Sequence, residues 1–158
     1  MATVRRQVTI HRSADDVWAV IGDPRTIADW FPGIESCTVD GTTRVITTVT
    51  GLPLPEEIVT VDAIQRRFQY RVTAPIIEGH LGTIDVFELE DGNSLVSYAT
   101  DCEPPAMALM IGGATGGALA ELRRQLEAGD RSGDRSGDPS GDRSGGAAAA
   151  TPDATGAG

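Results

Sequence analysis

A chain of 158 residues with a formal net charge of −10 carries thirteen basic residues, and all of them are arginine. An acidic surface releases no counterions from phosphates, which argues against nonspecific binding of nucleic acid or of an anionic membrane. Without lysine the chain forms no Schiff base of its own and supplies no P-loop lysine.

The last 30 positions, Gly129 to Gly158, hold 8 of the 19 glycines and no Val, Ile, Leu, Met or aromatic residue. They build no core. The unit GDRS recurs there, once as GDPS, and Ala-rich sequence follows, so 129–158 reads as a disordered low-complexity tail. Residues 1–128 then form one domain, long enough to close around a sizeable interior. All seven aromatics lie inside it, and its charge is −8 against −2 for the tail. Cys37, Cys102, His11 and His80 exhaust the sulfhydryls and imidazoles and form no pair at metal-ligand spacing. The start MATVRRQVTIHR has no apolar secretion core, so reduced thiols in a cytoplasmic protein are expected. The longest uncharged run, Pro104 to Ala120, is too short for a membrane span.

Along the chain, residues 3–11 place Val4, Val8 and Ile10 on one parity, as in a strand with one buried face, although Arg6 shares it. Ser13 caps a helix in which Ala14, Val17, Trp18 and Ile21 recur at helical spacing, and Gly22 ends it. Asp23-Pro24 opens a second short helix carrying Ile27, Trp30 and Phe31, stopped by Pro32-Gly33. Strands follow at 34–39 and 43–50 around the hairpin signal Asp40-Gly41, with Gly51 to Pro55 a rigid loop before a strand at 57–64. Residues 67–73 alternate cleanly, so Phe68, Tyr70 and Val72 face inward. A long strand at about 80–90 turns at Asp91-Gly92-Asn93 into 94–103, with Val96, Tyr98 and Thr100 inward. After Pro104-Pro105 a helix runs from Ala106 to Ala128, striped by Met107, Met110, Ile111, Ala114, Ala118, Leu122 and Leu126. Its first half carries no charge and is expected to be buried nearly all round. Gly112, Gly113, Gly116 and Gly117 imply a close approach, a kink or a break there.

One strand, two short helices, six consecutive strands and a long closing helix form a specific order. With the segments SADDVWAVIGDPRTIADWFPGIES, RRFQYRVTAP and GTIDVFELEDGNSLVSYATDCEPP, it resembles the helix-grip fold of the START and SRPBCC superfamily, the polyketide cyclase/dehydrase branch in particular. The resemblance covers about residues 3–128. It implies an α+β fold in which a curved antiparallel sheet of about seven strands grips the C-terminal helix around a deep apolar cavity. Members bind lipids, sterols, hormones or polyketides, and a minority catalyse cyclisation, aromatisation or dehydration. No cofactor is implied.

Candidate ligand contacts are Trp30 and Phe31 at the rim, Phe68, Tyr70, Phe87 and Tyr98 from the sheet, and Met107, Met110 and Ile111 from the helix. Each has an ordinary packing role as its alternative. His80 and Asp85 are the tempting acid/base pair, but their odd separation sends them to opposite faces of a regular strand unless a bulge, for instance at Gly82, intervenes. Asp85 is in step with Phe87 and Leu89, His80 with Ile84 and Val86, and either set fits the interior; Asp85 is the preferred buried polar group, and Asp85, Tyr70 and Tyr98 are the catalytic candidates. Arg71 and Asp101 fall on the outer face. No GxSxG, HExxH, GxGxxG or CxxC is present, which disfavours nucleophilic, metal and dinucleotide chemistry. Three readings stay open. They are a binder of a hydrophobic small molecule, lipid-like or polyketide-like, as monomer or homodimer; an aromatase/cyclase or dehydratase using the same cavity; and a regulatory or interaction protein with no small-molecule substrate.

Overall fold

The computed structural model describes residues 1–75 and 77–133. Seven strands, β1 (Ala2–Ile10), β2 (Ile34–Asp40), β3 (Thr43–Thr48), β4 (Pro53–Asp62), β5 (Arg67–Val72), β6 (Glu78–Glu88) and β7 (Ser94–Glu103), form one antiparallel sheet. Its order is β1-β7-β6-β5-β4-β3-β2. Between β1 and β2 come α1 (Ala14–Ile21), a 3₁₀ turn (Pro24–Thr26) and α2 (Ile27–Trp30), and α3 (Pro105–Gly133) closes the chain. This is the helix-grip arrangement.

Local chemistry accounts for the short elements. Ser13 Oγ accepts the Asp16 N–H at 3.1 Å and caps α1, which buries Ala14, Val17 and Ile21. A side chain at Gly22 would start 2.7 Å from the Trp18 ring, so the helix stops where the indole lies. Asp23 caps the 3₁₀ turn through the Arg25 N–H. Asp40-Gly41 turns β2 into β3, with Gly41 at φ +56°.

The inward set is Ile10 on β1, Ile46 on β3, Phe68 and Tyr70 on β5, and Val96, Tyr98 and Thr100 on β7, as the alternation predicts. Two expectations fail. Residues 53–55, expected as loop, belong to β4: Pro53 and Pro55 pair with Thr47 and Val45, and the Pro55 carbonyl accepts the Thr73 N–H. On β6 the inward residues are His80, Gly82, Ile84 and Val86. Asp85 and Phe87 therefore lie on the outer face, where Asp85 holds Arg67 directly across the ladder (2.6 and 3.1 Å) and Phe87 is 48% exposed. Apolar residues occupy both parities of this strand, and the Arg67 partner decides between them. Arg71 and Asp101 are also outside, paired with Glu57 and Thr3.

The closing helix packs on β1 and β7. It is continuous through its glycines, because two of them are contact points: a Cβ at Gly112 would lie 2.3 Å from Val4 Cγ1, and one at Gly116 would touch Arg6. Arg6, on the inward parity of β1, donates from Nε to the Gly112 carbonyl at 3.0 Å. Ala118, Leu119 and Leu122 join the core, and Gln125 and Arg12 tie the far end through the carbonyls of Asp29 and Leu126. The first half is not buried all round. Leu109 and Met110 are exposed because this half spans a cavity and the solvent beside it rather than filled core. α3 extends to Gly133, past the expected domain edge at 128, and the rest of the low-complexity segment lies outside the described residues. No helix among the described residues is long and apolar enough to cross a membrane.

Replacing Gly112 by Ala is expected to cost about 2 kcal/mol or more, since the new methyl overlaps Val4. Gly117→Ala, where nothing lies within 4 Å, should change stability by less than about 1 kcal/mol and in the stabilising direction. Urea unfolding of the two variants measures the difference.

Candidate functional site

Between the concave face of β3–β6, α2 and the first half of α3 lies a cavity of about 410 Å³. Its walls are almost entirely apolar: Ile46, Leu54 and Val72 from the sheet, Ile27 and Phe31 from the α2 region, and Met107, Met110, Ile111 and Ala114 from α3. Leu52 and Met110 line it while 56% and 62% exposed, which marks its mouth. Among the described residues, four polar side chains also line it: Thr48, Glu56, Tyr70 and His80.

Glu56 is held by its strand partner. The β3–β4 register sets Arg44 directly opposite it, and Arg44 Nε donates to Glu56 Oε2 at 2.6 Å. Both are buried, at 1% and 3% exposure. The guanidinium lies 5.1 and 4.9 Å from the ring centroids of Phe68 and Tyr70 and donates to the Pro24 carbonyl at 3.3 Å. Burial raises the Glu56 carboxyl above its ordinary value, and the Arg44 charge and hydrogen bond oppose the rise.

Tyr70 and Tyr98 share a hydroxyl–hydroxyl hydrogen bond of 2.6 Å. Burial pushes both phenols upward, so they stay protonated at neutral pH. The Tyr70 ring rests on the bare backbone of Gly82, where a Cβ would come within 2.3 Å of it.

His80 reaches the cavity beside an irregularity of β6. The β6–β7 register shifts between Glu78 and Leu81, and Gly79 takes φ +60°. The β5–β6 ladder ends at the Tyr70–Gly82 pair, and beyond it the Val72 N–H donates to His80 Nδ1 at 3.1 Å. Desolvation lowers the imidazole pKa to about 4, with Asp101 acting weakly the other way.

Of the sequence candidates, the structure gathers Phe31, Tyr70, Met107, Met110 and Ile111 around one cavity. Tyr98 stands behind Tyr70, bound through its hydroxyl. Trp30 and Phe68 are core residues, packed against Phe31 and under Arg44 respectively. Phe87 and Asp85 are on the opposite side of the sheet, and Asp85, paired with Arg67, leaves the set of catalytic candidates. Sequence reasoning missed Arg44 and Glu56. The signal was available in the hairpin: Arg44 shares parity with Ile46, and extending β4 back to Pro53 sets Glu56 beside it. Cys37 and Cys102 are free thiols. Among the described residues no group of His, Cys, Asp and Glu is arranged to hold a metal ion.

Residues 1–128 match the sequence model of the polyketide cyclase/dehydrase and lipid transport family, and the chain belongs to that family. Solved structures similar in fold include the protein XoxI from Bacillus cereus, at TM-score 0.77 and 24% identity over 82% of this chain and 99% of that one. A START superfamily protein from Mycobacterium smegmatis aligns at TM-score 0.69 and 13% identity, over 80% and 97%. A point mutant of norcoclaurine synthase from Thalictrum flavum, in complex with a transition-state analogue, aligns at TM-score 0.65 and 17% identity, over 82% and 96%. Comparison with curated proteins gave no match.

Removing Arg44 strands a buried carboxylate. Arg44→Met is expected to cost about 3–5 kcal/mol, and the double variant Arg44→Met/Glu56→Leu to recover more than half of it, as read by chemical denaturation.

The folded His80 titrates near pH 4, whereas an unfolded histidine does so near 6.5. The unfolded chain therefore takes up this proton first, and the contribution of His80 to stability is lost as pH falls from about 6.5 to 4. Glu56 acts in the opposite sense, because its raised carboxyl lets the native state take up a proton first. Comparison with His80→Phe cancels that shared term. The wild type should lose stability relative to the variant across this window, by an amount on the order of 3 kcal/mol. Histidine NMR should place the wild-type midpoint near pH 4.

Proposed function

We propose that this protein binds a hydrophobic small molecule in the cavity between its sheet and α3. The observation that carries the reading is the cavity itself, about 410 Å³ bounded mainly by aliphatic, aromatic and thioether side chains and opening past Leu52 and Met110. A recess of this size and character is what small-molecule sites are made of. Membership of a family described by lipid transport as well as by cyclisation and dehydration agrees with it. Phe31, Tyr70, Met107, Met110 and Ile111 supply contact surface, and the unbranched methionines adapt to the ligand's outline.

Binding is preferred over catalysis of cyclisation or dehydration for a chemical reason. A general acid or base works best with its pKa near the working pH. Here the phenols are driven upward and the imidazole down to about 4, and the Glu56 carboxyl, though raised by burial, is tied to Arg44 by charge and hydrogen bond.

Thermal-shift measurements with hydrophobic compounds, alongside native mass spectrometry for a co-purifying molecule, test the reading. A ligand at about 100 times its Kd should raise Tm by about 5–10 °C. Leu54→Trp, which enlarges a half-buried side chain on the inward parity of β4 into the cavity, should keep the fold by circular dichroism and lose that shift. An unchanged response in Leu54→Trp would place binding elsewhere and overturn the proposal.

A further inference from the structure

Among the described polar side chains that line the cavity, His80 has a buried atom without a partner. Thr48 Oγ1 is engaged with the Thr50 hydroxyl and the Leu52 N–H, at 2.8 and 3.1 Å. Glu56 is held by Arg44 and Tyr70 by Tyr98. His80 is 3% exposed and its Nε2 is buried with no hydrogen-bond partner. The tautomer follows from the other ring nitrogen. Because Nδ1 accepts the Val72 N–H, the proton of the neutral ring sits on Nε2. His80, a residue of the cavity lining, therefore carries an N–H donor that is buried and unpartnered, its ring fixed by a backbone hydrogen bond.

We propose that the ligand of this cavity is an uncharged hydrophobic molecule bearing a carbonyl-type oxygen, which accepts a hydrogen bond from His80 Nε2–H. The inference deepens the binding reading above and rests on it. A hydrocarbon that displaced solvent here would leave a buried donor unsatisfied, whereas a ketone, ester or lactone oxygen satisfies it. Charge selects the class further. No arginine is among the described residues lining the cavity, and the charged group that is among them is the Glu56 carboxylate; its partner Arg44 is off the lining, donates to Glu56 and to the Pro24 carbonyl, and keeps Nη2 buried without a partner. A ligand carboxylate would be buried beside like charge with no cation on the wall to meet it. The neutral imidazole adds no positive charge at pH 7, since burial holds its pKa near 4. Fatty acids in their ionised form are disfavoured, and neutral carbonyl compounds are favoured.

Three probes on one skeleton separate these terms: benzophenone, diphenylmethane and diphenylacetate. Each is titrated at pH 7.5 by calorimetry into the full chain and into His80→Phe. The wild type is expected to bind benzophenone about tenfold or more tighter than diphenylmethane, with diphenylacetate weakest. In His80→Phe the ketone-to-hydrocarbon ratio should fall to near one. Should that variant fail to fold, the wild type labelled with ¹⁵N-histidine decides: the His80 Nε2 proton resonance should move downfield with benzophenone and not with diphenylmethane. Equal affinities for ketone and hydrocarbon without that shift would overturn the carbonyl assignment while leaving the binding reading in place. Tightest binding of diphenylacetate would overturn the selection against charge. Binding by none of the three would bring down the binding reading itself.

Discussion

The contact of α3 with β1 at Gly112 is the constraint from which the cavity follows. A helix backbone is brought onto a strand so closely that no β-carbon fits between Gly112 and Val4, and Arg6 reinforces the contact by bonding the Gly112 carbonyl. The helix is thereby committed to the β1–β7 side of the sheet, where Ala118, Leu119 and Leu122 complete a filled core. The face of β3–β5 is left without a helix lying directly on it. Side chains from α2 and from the first half of α3 reach toward that face without filling the space, and the interior divides into a packed part and a hollow part. Had position 112 carried a side chain, the helix would have to stand off β1, and the division would lie elsewhere.

The hollow part is apolar in area but not in electrostatics. A buried carboxylate is costly unless matched, and here the matching guanidinium is its cross-strand neighbour, stacked on the aromatic rings of Phe68 and Tyr70. The pair is neutral as a whole, and the tyrosine pair and imidazole beside it are neutral individually at physiological pH. Apolar burial alone supports weak affinity: about 300 Å² of ligand area contributes about 7–8 kcal/mol, of which lost freedom removes about 4 or more. On the proposed reading, discrimination among hydrophobic molecules falls to the few fixed dipoles of the wall, His80 among them, whose Nε2 is buried without a partner.

Much of this was legible in the sequence wherever a local rule acted alone. Ser13 as a cap, Asp40-Gly41 as a turn and the strict alternation of Phe68, Tyr70 and Val72 each fix a piece of chain without reference to any other. The order of elements then sufficed for the fold. Legibility failed where two segments had to be known together. On β6, Ile84 and Val86 compete with Phe87 for the interior, and only the pairing of Asp85 with Arg67 on the neighbouring strand settles which set turns outward. Arg44 and Glu56 each read as surface charges when taken singly. Their burial makes sense once β4 is seen to begin at Pro53, and the two prolines there disguised a strand as a loop. The glycines of α3 announced a close approach without saying which of them made it. Gly112 and Gly116 do, whereas Gly113 and Gly117 have nothing within 4 Å.

Gly82 gives the chamber an unusual form of adjustment. Its missing side chain is the recess into which the Tyr70 ring sinks, and that ring is in turn part of the wall facing the ligand space. Capacity is thus governed from behind the lining: one methyl group added at 82 would drive the phenol forward, narrow the room and pull its hydroxyl from Tyr98, without itself meeting any guest. The volume of the cavity is thus set at a backbone site that does not itself line it.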